Sequence, residues 1–187
     1  WVGSWPKGPS LAHLLSSHGA FPAQAVASIG CDISMVLSDL SDRRIIHGDL
    51  HPAALYLSQE GEIWMDGLGR RPVGDIPPRT SDRRYIPPEG FASTASDVFA
   101  LGVLLAELLL GRQVDLFAMD SQGHQQLLNQ VIIDIGTPSD APSIVSIIAA
   151  ALSYEANYRP SASELSKQLS AIRTQPQVLA RWIRHLS

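Results

Sequence analysis

The sequence has 187 residues, of which 45% are hydrophobic, and it carries 14 Lys and Arg against 18 Asp and Glu for a formal net charge of −4. This length and composition predict a single domain with a sizeable core and exclude a disordered polyelectrolyte. The negative charge argues against a nucleic-acid partner bound through phosphate contacts. The one cysteine, Cys31, cannot form an internal disulfide, so we expect a reducing compartment, a cytoplasmic location and no cysteine-based metal site.

The first third of the chain predicts an extended start, two helices and a hairpin. Residues 1–9 are rich in turn formers, and Ser10 is the expected N-cap of a short helix. Apolar residues recur at helical spacing from 23 to 40. The β-type runs 55–57 and 62–65 flank the turn S-Q-E-G and predict a small hairpin.

A long irregular segment, residues 66–89, follows the hairpin and contains several prolines and arginines. Loops of this length are usually functional or disordered. We interpret the basic residues Arg79, Arg83 and Arg84 as a solvated face of this loop, with a phosphate-binding site as the alternative.

The second half of the chain predicts helices only. The strongest begins at Ser96 and Asp97, runs to about Leu110 and stops at Gly111. It is apolar almost all the way round, which predicts a buried central helix. The fold class is therefore mainly α with one small hairpin. Later helices are expected over residues 122–133, 141–152, 161–172 and 177–186.

The apolar stripe of the last predicted helix is expected to pack on the domain, and contact with a membrane surface or a partner is the alternative. The stripe contains Leu179, Trp182, Ile183 and Leu186. No apolar run in the sequence is long enough to cross a bilayer, so the sequence itself does not indicate a membrane protein.

The densest set of reactive side chains lies in the predicted loop 47–52, H-G-D-L-H-P. A second acid, Asp66, follows the hairpin, which should return it to the neighbourhood of Asp49. One carboxylate could accept a proton from a hydroxyl nucleophile, and the other could hold Mg²⁺ through hard oxygen ligands. Spacing alone leaves open that both acids only cap turns.

Five segments resemble, in the same order, motifs of the C-terminal lobe of the eukaryotic-type protein kinase fold. Residues 47–54, HGDLHPAA, resemble the catalytic loop H-R-D-L-x-x-x-N, and residues 62–67, EIWMDG, resemble the strand that leads into D-F-G. Residues 85–89, YIPPE, resemble the A-P-E end of the activation segment. Residues 96–108 are similar to the central helix of the family, and residues 158–165, YRPSASEL, match its R-P-S-A-x-E-L block.

The order of these motifs, over nearly the whole chain, makes the resemblance specific, although each motif alone is weak. The wording H-G-D-L-H-P also occurs in small-molecule kinases of the aminoglycoside-phosphotransferase type. The A-P-E-like and R-P-S-A-like blocks favour the protein-kinase branch. We therefore expect a kinase-like C-terminal lobe.

The resemblance assigns a degenerate version of the kinase site to three positions. Asp49 takes the place of the catalytic base, and Asp66 takes the place of the aspartate that holds the metal. Tyr56 lies where the family usually places a small aliphatic residue under the adenine ring.

The resemblance also implies structural roles. Glu89 and Arg159 are expected to tie the end of the activation segment to the later helices through a bidentate ion pair. Asp97 should accept backbone N–H bonds from the catalytic loop. His47 is expected to be a packed scaffold residue and not a metal ligand. His51 could in principle be a metal ligand, but no cysteine or third histidine lies nearby in the sequence.

The chain departs from the family pattern at several positions of the site. Where the family places an asparagine that helps to hold Mg²⁺, this chain has Ala54, whose side chain carries no oxygen. Gly48 replaces the arginine that would contact a phosphorylated activation loop. The D-F-G motif reads D-G-L at residues 66–68, and the glycine that should follow the second position is displaced to Gly69.

The resemblance covers the C-terminal lobe alone. The 187 residues contain no G-x-G-x-x-G loop, strand lysine or partner glutamate helix. Residues 1–10 resemble the hinge of a kinase, and residues 11–187 resemble the C-terminal lobe. The N-terminal lobe, which grips the ATP phosphates, would therefore precede Trp1.

We interpret the chain as a pseudokinase: a protein-binding scaffold or regulatory module that needs no cofactor. A protein partner, or a second copy, is expected on the surface that would face the N-terminal lobe, around Trp5, Tyr56 and Met65. The alternative is the C-terminal lobe of an active Ser/Thr kinase, in which Asp49 acts as base and Asp66 holds Mg²⁺ with ATP.

Overall fold

The computed structural model describes residues 8–67 and 82–186. The predictions for Trp5, Leu68, Gly69 and Arg79 lie outside these residues. The described part is mainly helical with one small antiparallel sheet, which confirms the predicted fold class. The helices are α1 (Leu11–His18), α2 (Ala23–Asp42), α3 (Thr94–Leu110), α4 (Ser121–Ile135), α5 (Ile144–Ala151), α6 (Ala162–Ser170) and α7 (Pro176–Leu186), and the strands are β1 (Leu55–Leu57) and β2 (Ile63–Met65).

Helix α3 lies at the centre of the fold, and every residue from 96 to 108 is buried. It begins at Thr94, two residues before the predicted start, because Ser93 is the N-cap. The Ser93 hydroxyl accepts the Ser96 N–H at 3.0 Å, and the Ser96 hydroxyl accepts the Ser93 N–H at 2.8 Å. This reciprocal capping satisfies two backbone donors that a helix start leaves unpaired.

The end of α3 at Gly111 is confirmed. Gly111 adopts a left-handed conformation with φ of +67°, and its N–H donates to the Glu107 carbonyl. A side chain here would place its Cβ 2.4 Å from the backbone nitrogen of Ala20. Glycine therefore allows both the turn and the close approach of the segment between α1 and α2.

The other helices pack around α3. Helix α2 contacts both α3 and α6, and α5 also contacts α3. Ser10 caps α1 as predicted, since its hydroxyl accepts the His13 N–H at 3.2 Å. The resulting core is continuous across these helices and the hairpin.

The hairpin pairs β1 with β2 in the register Leu55↔Met65, Tyr56↔Trp64 and Leu57↔Ile63. The pleat directs Leu55 and Leu57 into the core. Tyr56 and Met65, which we expected on an exposed surface, are half-buried, and the exposed ring of the hairpin is Trp64 at 41%. Tyr56 of β1 also forms an isolated antiparallel bridge with Ser10.

Helix α7 packs on the domain, as its apolar stripe predicts. Leu179 and Ile183 are buried, and the ring of Trp182 meets the ring of Phe21 edge-on at 4.8 Å between centroids. Within the described ranges 8–67 and 82–186, no helix combines the length and the apolar character needed to span a membrane.

Candidate functional site

The catalytic-loop-like segment is anchored to the start of α3 by Asp97. The two carboxylate oxygens of Asp97 accept the backbone N–H groups of His47 and Gly48, each at 2.8 Å. Burial raises the pKa of Asp97 to about 6, although both N–H bonds favour its charged form. Gly48, which stands in place of the family arginine, has φ of +72°, so a left-handed turn here suits glycine.

His47 connects the backbones of the two candidate acids. Its ring is fully buried, Nε2 lies 3.1 Å from the Asp66 carbonyl oxygen, and Nδ1 accepts the Asp49 N–H at 3.3 Å. These partners fit a neutral ring that donates from Nε2 and accepts at Nδ1. Burial lowers the pKa of His47, which favours the same neutral form. The contacts of His47 are thus those of a packed scaffold residue.

Asp49 presents a carboxylate oxygen that has no hydrogen bond to any described residue. The side chain is half-buried, and Oδ1 is buried with no hydrogen-bond partner in the described structure. Asp49 lines a narrow crevice together with Tyr85 and Pro87. Because a buried acceptor without a donor is costly, this oxygen is the most unusual polar atom of the site.

Asp66 lies at the end of the hairpin with an exposed side chain. Its N–H donates to the Ala54 carbonyl at 2.8 Å, and its Oδ1 accepts the Gly67 N–H at 2.7 Å. The chain therefore brings the loop containing Asp49 and the turn containing Asp66 to one end of the domain, with the His47 ring between their backbones.

The side chains of residues 8–67 and 82–186 do not complete a kinase-type magnesium site. Mg²⁺ prefers several oxygen ligands in near-octahedral geometry. Ala54 is buried at the position expected for the second side-chain ligand, and it offers only a methyl group. In residues 8–67 and 82–186, no group of three or more His, Cys, Asp or Glu side chains could hold a metal ion. Tyr56, at the expected adenine floor, is half-buried on β1.

Glu89 and Arg159 meet in a bidentate ion pair. Both Arg159 Nη atoms donate to the Glu89 carboxylate at 2.8 Å, and the Arg159 side chain is 0% exposed. The guanidinium also donates to the carbonyls of Ser153, Tyr154 and Ala95. All its donor directions are thus used, and the segment at Glu89 is joined to α3 and to the turn before α6.

A second buried network surrounds Glu107 of α3. This network was not predicted from the sequence, because there Glu107 only interrupts an apolar run. Glu107 is 1% exposed. Its Oε1 accepts Arg84 Nη1 at 2.7 Å and the Val114 N–H at 3.0 Å, and its Oε2 accepts the Tyr85 hydroxyl at 2.5 Å. A glutamate on an otherwise apolar buried helix is the signal that could have revealed it, since buried charges are paired.

The interpretation of Arg84 as part of a solvated face is wrong. Its side chain is only 16% exposed, because it bridges Glu107 and Asp82. Arg83, its neighbour, is exposed as expected and pairs with Asp115 at 3.4 Å.

The protonation states in this second network follow from burial and charge. Hydrogen bonding to Arg84 lowers the pKa of Asp82, whereas burial raises the pKa of Glu107. Burial and the Glu107 carboxylate raise the pKa of Tyr85, so its hydroxyl remains a donor. The network therefore fixes Tyr85, which borders the crevice of Asp49, against the central helix.

Comparison with known proteins agrees with the motif order. The model of the protein kinase domain family matches residues 4–169. The serine/threonine-protein kinase PDK1 of Cryptococcus neoformans is 26% identical over 81% of this chain, which covers 13% of that protein. Mouse Aurora kinase C is 26% identical over 87% of this chain and 61% of its own length. The Arabidopsis kinase RUNKEL is 33% identical over 56% of this chain and 8% of its own length.

These relatives are longer than the chain, which spans between 8% and 61% of the three. The family match extends over most of the 187 residues and includes every motif that carried the resemblance. Together with the helical fold and the Asp97 and Arg159 anchors, it shows that the chain belongs to the protein kinase domain family.

Proposed function

We propose that this kinase-family domain acts as a protein-binding scaffold or regulatory module and does not transfer phosphate. Ala54 is the observation that carries the proposal. Its side chain is buried next to the turn of Asp66, whose N–H bonds to the Ala54 carbonyl. At this position the family pattern requires an oxygen ligand for Mg²⁺.

The loss of one metal ligand matters because phosphoryl transfer depends on electrostatic stabilisation by positioned metal ions and donors. Of the two side chains with which the family pattern holds Mg²⁺, only the one at Asp66 remains, so an ion there would depend on water and on the nucleotide phosphates for its other ligands. The buried pairs of Asp97 and Arg159 do not depend on catalysis, and they support a domain retained for its shape.

Protein binding is the function that such a retained shape can serve. The surface we expected for a partner or a second copy, around Tyr56 and Met65, is half-buried at both residues. The neighbouring side chain of Trp64 is apolar and exposed. The proposal assigns protein binding to the domain, with this end of the hairpin as the expected contact.

The first prediction concerns nucleotide binding. We expect titration with ATP and MgCl₂ to leave the melting temperature of the domain, and of the longest natural polypeptide that contains it, unchanged within about 1 °C. A ligand at 100 times its Kd would add about 2.7 kcal/mol, or roughly 5–10 °C for a domain of this size. A shift that requires both ATP and Mg²⁺ would contradict the proposal, and ADP without metal is the control.

An active Ser/Thr kinase remains the second candidate, because of Asp49. Its Oδ1 is buried and unpartnered in the described structure, as a base awaiting a substrate hydroxyl would be. In this candidate Asp49 accepts the proton of the hydroxyl, and Asp66 contributes to Mg²⁺ binding.

The second prediction separates the two candidates at Ala54. We expect neither Ala54→Asn nor Ala54→Leu to show peptide phosphorylation above background, measured by transfer of labelled phosphate in the full polypeptide. Leucine matches the size of asparagine but has no oxygen, so it controls for crowding at this buried position. A gain in Ala54→Asn alone, abolished by adding Asp49→Asn, would support the second candidate.

A further inference from the structure

A broad groove runs along one side of the domain, between the second half of α2, the strand β2 and the start of α6. It encloses about 960 Å³. Its apolar side chains include Met35, Val36 and Trp64, which are 47%, 37% and 41% exposed. Exposed apolar side chains that line one continuous depression mark interaction sites more often than isolated ones do.

The charge along this groove is mostly negative. Asp32, Asp39 and Glu62 contribute carboxylates, and Lys167 is the cationic residue that lines it in the described part of the chain. Asp39 and Glu62 are exposed. The remaining carboxylate, of Asp32, is half-buried and has Arg173 at 3.6 Å as its ion-pair partner, so two carboxylates face a single ammonium.

The shape of the groove favours a macromolecular segment over a small molecule. Small-molecule sites enclose most of the ligand and converge a few buried polar groups on it. Here exposed carboxylates and exposed apolar side chains line the same open depression, which suits a peptide that has an apolar face and basic side chains. A second copy of this chain, with its net charge of −4, is disfavoured by repulsion from the acidic side chains of the groove.

We propose that this groove binds a segment of a partner protein that presents apolar side chains to Met35, Val36 and Trp64 and basic side chains to Asp39 and Glu62. The apolar contacts supply affinity, and the carboxylates select a basic partner and exclude an acidic one. The proposal deepens the proposed function and rests on its assignment of protein binding, because Trp64 belongs to both surfaces. Whether the domain also transfers phosphate is tested separately, by the ATP titration and the Ala54 variants.

Binding of two labelled 14-residue probe peptides tests this proposal. One alternates leucine and arginine so that one face is apolar, and the other has glutamate in place of every arginine. By fluorescence polarisation at physiological salt, we expect the arginine peptide to bind at least tenfold more tightly. The double variant Asp39→Lys/Glu62→Lys, and separately Trp64→Ser, should each weaken its binding about tenfold. Glu155→Lys, at an exposed acid outside the groove, is the matched control and should leave binding unchanged.

Other results would overturn the proposal. Equal affinity for both peptides, or equal weakening by Glu155→Lys, would show attraction to the net charge alone. A concentration-dependent dimer in sedimentation that Trp64→Glu dissolves would assign the groove to a second copy. Protection of a Trp64→Cys thiol from maleimide within a longer natural polypeptide would assign it to an intramolecular contact. Unchanged melting temperatures of the variants confirm that each one is folded.

Discussion

Replacement of Arg159 by leucine is expected to lower the free energy of unfolding by about 3–5 kcal/mol, the cost of removing one partner from a buried ion pair. The Arg159 side chain is 0% exposed, and the Glu89 side chain is 14% exposed. The variant leaves the Glu89 carboxylate without its two charge-assisted bonds. It also leaves the carbonyls of Ser153, Tyr154 and Ala95 without donors.

This loss is large relative to total stability. Domains unfold with about 5–15 kcal/mol, so Arg159→Leu will be close to unfolding and a milder variant is needed beside it. Glu89→Gln retains the volume and one acceptor for the guanidinium, and we expect it to cost about 1–3 kcal/mol. Urea denaturation followed by circular dichroism measures both values.

Arg83→Leu is the matched control for the Arg159 variant. Arg83 also pairs with an acid, Asp115 at 3.4 Å, but its side chain is 66% exposed. Exposed pairs contribute about 0–1 kcal/mol, so this variant should change stability by less than that. Similar losses in Arg83→Leu and Arg159→Leu would contradict the role we assign to burial. A double variant with Glu89→Leu should cost less than the sum of the single ones.

The contrast between these two arginines shows what the sequence could and could not predict. The ion pair of Arg159 followed from the resemblance, because two motifs distant in sequence carry its members. The burial of Arg84 did not follow, because three basic residues in an irregular segment have no periodicity that assigns them a side. Only the packed structure shows that Glu107 of α3 draws Arg84 inward.

The fold was predictable where periodicity or a capping residue carried the signal. The apolar character of α3 predicted its burial, and Gly111 predicted its end. Its first turn was placed two residues late, since Ser96 is a less familiar partner for an N-cap serine than glutamate is. The exposure of Trp64 could have been predicted but was missed. Side chains alternate between the two faces of a strand, so Trp64 lies on the other face of β2 from Ile63 and Met65.

The candidate site was predictable only in part, for a related reason. The motifs named Asp49 and Asp66, and the substitution at Ala54 was visible in the sequence. The burial of Asp49 Oδ1 without a hydrogen-bond partner among the described residues was not visible, because the crevice is lined by Tyr85 and Pro87, which are distant from Asp49 in sequence. Irregular segments are placed by such long-range contacts, which no local pattern encodes.

The network of Glu107 leads to the last prediction: Glu107→Leu should lower the free energy of unfolding by about 3–5 kcal/mol. Leucine leaves three donors without their acceptor, namely Arg84 Nη1, the Tyr85 hydroxyl and the Val114 N–H. Tyr85 is 4% exposed, so water cannot readily replace the carboxylate there.

Glu107→Gln separates the cost of lost hydrogen bonds from the cost of lost charge. Its amide oxygen can still accept from Arg84 and Val114, and its amino group can donate to the Tyr85 oxygen. Burial raises the pKa of Glu107 because the charged carboxylate loses its hydration. The neutral amide of glutamine avoids this desolvation cost. We therefore expect Glu107→Gln to cost less than about 1.5 kcal/mol, the usual net value of one hydrogen bond. Tyr85→Phe, which leaves Oε2 without its donor, should fall between the two Glu107 variants.

Hydrogen exchange of the backbone from Asp82 to Glu89 supplies a second readout. If the Glu107 network holds this segment against α3, exchange there should accelerate in Glu107→Leu and remain slow in Glu107→Gln. Equal stability losses in the two variants, or unchanged exchange in Glu107→Leu, would contradict this account. Acceleration would also reach the wall beside Asp49, because Tyr85 and Pro87 line its crevice. Such a result would assign to the buried glutamate of the central helix control over the wall of the candidate site.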